Sequence, residues 1–119
     1  VNPILHAKFN LPCGLTDRIV RLEGGQWIGA SGSVVDLTIS SAKLATAEEA
    51  QDYEFCRLVT RLVAMVVAQG APSIAGLIEA CGGERDDVLC DVAAELRKEH
   101  RFGLSSQVLA YRFKEERRA

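Results

Sequence analysis

The apolar residues of this chain recur every second position before Thr46 and at helical spacing after it, and that change of period constrains the fold to a sheet followed by helices. In "DRIVRLEGG" Val20 and Leu22 alternate with polar residues, and in "SVVDLTIS" Val35, Leu37 and Ile39 do the same. Residues two apart share one face of a strand, so each stretch offers a single apolar face to a core. Gly24-Gly25 and Ser31-Gly32 supply the positive φ that tight turns need, which predicts an antiparallel meander of three short strands through "RIVRLEGGQWIGASGSVVDLTI". Ala7 to Leu11 is expected to add a fourth strand, ended by Pro12.

Thr46 and Glu49 form a capping box, in which each side chain satisfies a backbone donor at a helix start. Tyr53, Cys56, Val59, Leu62, Val63, Val66 and Val67 follow at helical spacing, with acids and arginines between them in the first half. Beyond Arg61 the apolar residues encircle the helix. Such a stretch must be covered on several sides, and Leu62, Met65 and Val66 are expected to form a homodimer interface. Gly70 and Pro72 stop this helix, Ser73 caps a short one from Ile74 to about Cys81, and Gly82-Gly83 precede a third from Glu84 to about His100. Val88, Leu89, Val92, Ala93 and Leu96 give the third helix its buried face. In "SQVLAYRF" Leu109, Tyr111 and Phe113 alternate with Val108, Ala110 and Arg112, which predicts a strand, and "KEERRA" is a charged tail. The fold class is therefore α+β, an N-terminal antiparallel β meander followed by a three-helix unit. One domain is expected over 1–119: a β-rich part to residue 45, a helical part over 46–114 and a tail over 115–119.

Net charge is −2, but it is unevenly spread: +1 over residues 1–46, −7 over 47–96 and +4 over 97–119. The small total creates no global field towards nucleic acid, whereas a basic C-terminal end can orient the chain on a polyanion. The longest apolar run, Leu62 to Ala68, is far short of the ~18 residues of a membrane span. Cys13, Cys56, Cys81 and Cys90 lack paired spacing and are expected to be buried as small apolar groups in a reducing cytoplasm, with no metal or cofactor. His6 and His100 belong to no metal-binding pattern, and "GGQWIGASGS" lacks the Lys-Ser or Lys-Thr of a phosphate-binding loop, so turns account for its glycines. Trp27 is expected in the core or at a dimer contact. No catalytic constellation is visible, and the chain is not expected to be an enzyme.

Over residues 47–114 the order of long helix, Pro-Ser break, short helix, glycine turn, longer helix and strand resembles the winged helix-turn-helix of bacterial transcription regulators. Gly82, Val88 and Val92 sit at that family's packing positions, and Leu77 and Ile78 would pack the second helix onto the third. The resemblance implies a DNA-binding transcriptional regulator with a basic wing from about Arg101 to Phe113. Arg97, Lys98, Arg101, Arg112 and Lys114 would hold the phosphate backbone of duplex DNA, and Arg85 would read bases. The third helix, however, opens with Glu84, Asp86, Asp87 and Asp91 where the family usually places hydrogen-bond donors. Carboxylates repel phosphate, so the alternative is a protein-interaction module, an adaptor, antirepressor or inhibitor, that sets this acidic helix on a basic protein surface.

Overall fold

The computed structural model describes residues 2–73 and 86–118, without the side chains of Asp86 and 111–118. Strands β1 (Ile4–Leu11), β2 (Gly14–Glu23), β3 (Gln26–Gly29) and β4 (Ile39–Leu44) precede the helices α1 (Ala47–Gln69), α2 (Asp86–Lys98) and α3 (Phe102–Arg118). The chain is α+β, a four-stranded antiparallel sheet followed by helices. It divides into two compact units, Val1–Arg57 and Leu58–Ala119.

The sheet order is β3-β2-β1-β4, with every neighbouring pair antiparallel. The antiparallel sheet ahead of the helices is as expected from sequence; three of its strands follow one another through tight turns and the fourth returns beside the first, a Greek-key arrangement. Gly24 and Gly25, at φ 57° and 79°, form the two-residue turn between β2 and β3. The predicted strand over Val35 to Ile39 is corrected: Val34 makes an isolated antiparallel bridge to Ile28 and the Val35 amide donates to the Trp27 carbonyl at 2.8 Å, but a continuous strand begins only at Ile39, and Val35 and Leu37 lie in the connection between β3 and β4. There they still pack against Phe9, Val20 and Ala7, so their alternation reflects one-sided burial beyond this short bridge. Trp27 meets Phe9 edge-on at 6.3 Å and belongs to this core.

The capping box is formed: the Thr46 amide donates to Glu49 Oε1 at 2.9 Å and the Glu49 amide to Thr46 Oγ1 at 3.1 Å. Gly70, at φ 91°, ends α1. The predicted short helix over 74–81 and the Gly82-Gly83 break lie outside the described residues. Helix α2 buries Val88, Leu89, Val92, Ala93 and Leu96, as its periodicity predicts. Two further expectations are corrected. Residues 107–113, read as a wing strand, continue helix α3, and buried Ser105 donates to the Ala93 carbonyl at 2.8 Å where α3 packs on α2. Cys13, in the β1–β2 turn, and Cys56, on the outer side of α1, are exposed rather than buried.

Candidate functional site

Two groups of side chains are brought together with defined geometry. The first is built by the sheet register. His6 lies opposite Lys43, and Lys8 lies opposite both Ser41 and Asp17 on its two neighbouring strands. Cross-strand partners share a face, so all five line one open cleft of about 430 Å³. Glu49, at the first turn of α1, reaches the same face and places Oε2 2.8 Å from His6 Nδ1, while Asp17 Oδ1 is 3.5 Å from Nε2. The imidazole thus joins the helix start to the sheet. Its second nitrogen faces a carboxylate, so both ring nitrogens lie beside acids.

The Glu49 carboxyl is held below its ordinary range, first by the Thr46 backbone donor and then by His6 and the Thr46 hydroxyl, against the opposing effect of desolvation. A group lowered on folding contributes stability above its unfolded pKa and loses it as pH falls through the folded value. Denaturant midpoints are therefore expected to fall below about pH 4. The difference between wild type and Glu49→Gln should narrow over the same interval. An equal gap at pH 7 and pH 3 would remove Glu49 from the acid response.

Tyr53 organises the next turn of α1. Its hydroxyl donates to the Ile28 carbonyl at 2.7 Å, and the guanidinium groups of Arg21 and Arg57 lie 5.7 and 6.0 Å from its ring centre. Arg21 pairs with Glu54 and Arg57 with Glu23, so both cations over the ring are charge-balanced. Burial pushes the Tyr53 phenol up, against the pull of Arg57, and it remains a neutral donor. Apart from Arg57 over Tyr53, one helical turn apart, the contacts that tie α1 to the sheet cross 25 to 43 residues of sequence, and no local spacing announces them. The capping box alone pointed to this end of α1.

The residues singled out by sequence are distributed differently. Arg97 and Lys98 occupy the last turn of α2, and Arg101 lies in the turn before α3. All three are exposed, but Lys98 Nζ sits 3.0 Å from Glu95 and Arg101 Nε 3.6 Å from Glu99. Arg112 and Lys114 belong to helix α3 instead of a wing, with side chains outside the description. Arg85 and Glu84 fall outside the described residues, and Asp86 begins α2. Asp87 and Asp91 are exposed on α2, and their four-residue separation sets them on one face.

The expected dimer contacts also change. Leu62 and Val66 are buried within the single chain, at 1% and 0% exposure, which leaves half-buried Met65 and the adjacent Val67 on the outside of this stretch. Among the described residues there is no group of three or more metal-ligating side chains, and no helix is long and apolar enough to cross a membrane. Comparisons with family models, with curated proteins and with solved structures return no match for the chain.

Proposed function

We propose that this chain is a protein-interaction module that sets the acidic face of α2 against a basic protein surface. The observation behind this reading is the helical course of residues 102–118, which removes the basic strand meant to lie along phosphate. Of the cations next to it, Lys98 and Arg101 already face carboxylates of their own chain. Asp87 and Asp91 are exposed on a common face of α2, where carboxylates attract lysine or arginine and oppose a polyanion. A DNA-binding regulator is the second reading. Arg97, Lys98 and Arg101, all exposed around the α2–α3 turn, favour it.

The two readings predict opposite signs for one variant. Asp87→Asn/Asp91→Asn is expected to weaken a cross-linked, nuclease-resistant protein partner by on the order of tenfold. Wild type should show no salt-dependent polarisation change with a random-sequence duplex. Duplex binding that steepens at low salt, tightens in the Asn variant and disappears with Arg97→Glu/Arg101→Glu would make DNA the partner instead.

A further inference from the structure

Strand β2 runs for ten residues, yet only Val20 to Glu23 pair with β3, which ends at Gly29. Residues flanking a two-residue hairpin turn exchange both ladder bonds, and the side to which backbone groups point alternates along the strand. Glu23 and Arg21 therefore direct their N–H and C=O groups towards β3. Leu15, Asp17 and Ile19 direct theirs to the same side, where among the described residues no strand pairs with them. The Asp17 carbonyl is met by the Arg18 guanidinium at 3.3 Å, a side chain in the place of a ladder donor. Beside this edge is a cleft of about 660 Å³, bounded by Asp17 to Ile19 on one side and by the β3–β4 connection with Val34, Val35 and Asp36 on the other. Leu15 and Val34 remain 56% and 49% exposed.

We propose that the open edge of β2 from Leu15 to Ile19 binds an extended segment of a partner protein as an added strand, with a lysine or arginine of that segment opposite Asp17. Donors and acceptors repeating every second residue are matched by another extended backbone, and this is the chemistry of strand addition. A second copy of this chain fits poorly. Antiparallel pairing of two such edges about their midpoint would set Asp17 against Asp17, and like charges directly opposite are destabilising. Along the cleft Asp17 and Asp36 outnumber Arg18, and the Asp17 carboxylate, although beside His6 and across from Lys8, is 60% exposed, so the incoming strand is basic at that position. This site rests on the reading of the chain as an interaction module and adds a second surface to it.

The test is to pan a phage-displayed library of random nine-residue peptides on the full chain. Selected peptides, made synthetically, are then followed by amide hydrogen exchange. The Leu15 and Ile19 amides are expected to exchange quickly in the free chain and at least tenfold more slowly with peptide. Versions N-methylated on one edge should not slow them. Leu15→Pro, which removes one outward donor, should weaken binding at least tenfold, and Asp17→Lys should shift selection from basic to acidic peptides without altering a backbone donor. Recovery of no peptide, or binding that leaves the two amides unprotected and both variants unaffected, overturns the edge site. If the partner sensitive to Asp87→Asn/Asp91→Asn persists in that case, the module reading stands without it; if the chain binds only duplex DNA, both fail.

Discussion

Replacing exposed Gln107 with proline is expected to destabilise the chain by about 3 kcal/mol or more, because the position lies inside α3. Proline there has no N–H to donate to the preceding turn, and its ring clashes with the carbonyl four residues back. On an exposed wing strand the same substitution would cost far less, since edge strands tolerate proline. The side chain is at the surface, so Gln107→Ala should change stability by no more than about 0.5 kcal/mol and isolates the backbone effect. Breaking the helix here also disturbs fully buried Val108 and the bond from Ser105 to Ala93, the contacts by which α3 packs on α2. Urea midpoints and helical circular dichroism of the two variants provide the measurement. A proline variant as stable as the alanine one would restore the strand.

The misreading of this segment has a physical cause. Over seven residues, apolar groups at 109, 111 and 113 fit a strand, while Ser105 and Val108, three apart and both buried, fit a helix. Serine carries no hydrophobic signal, and Gly103 and two serines resemble loop composition. The turn before α3 also lacks the usual glycine: His100 takes the left-handed conformation at φ 61°. There the His100 amide bonds to the Arg97 carbonyl and the Arg101 amide to that of Leu96, the hydrogen-bond pattern that normally ends a helix on glycine. Local chemistry was legible elsewhere, in the Thr46 cap, the paired-glycine hairpin and the buried face of α2. Whether β4 sits beside β3 or β1 is decided by long-range packing of Val35 and Leu37 across the sheet, which an alternating pattern does not encode. The same limitation concealed the meeting of His6 with Glu49 and Asp17, and the unpaired length of β2 became visible only with the end of β3.

Tyr53→Ala is expected to have the largest effect of any single truncation considered, about 3–5 kcal/mol. Removing only the hydroxyl, in Tyr53→Phe, should cost about 1–2 kcal/mol, because the Ile28 carbonyl loses its buried donor while the ring still fills its space. Alanine removes the ring as well, which is 1% exposed and lies beneath two guanidinium groups. Water entering the space can solvate Arg57, whose Nη1 is buried without a hydrogen-bond partner, and this partial compensation argues for the lower half of the range. Against a total stability of roughly 5–15 kcal/mol for a domain, even 3 kcal/mol is a substantial fraction. Denaturant midpoints for the two variants test the ordering. Equal losses would mean that the hydroxyl bond alone matters and that the two arginines hold the helix start on the sheet without the ring between them.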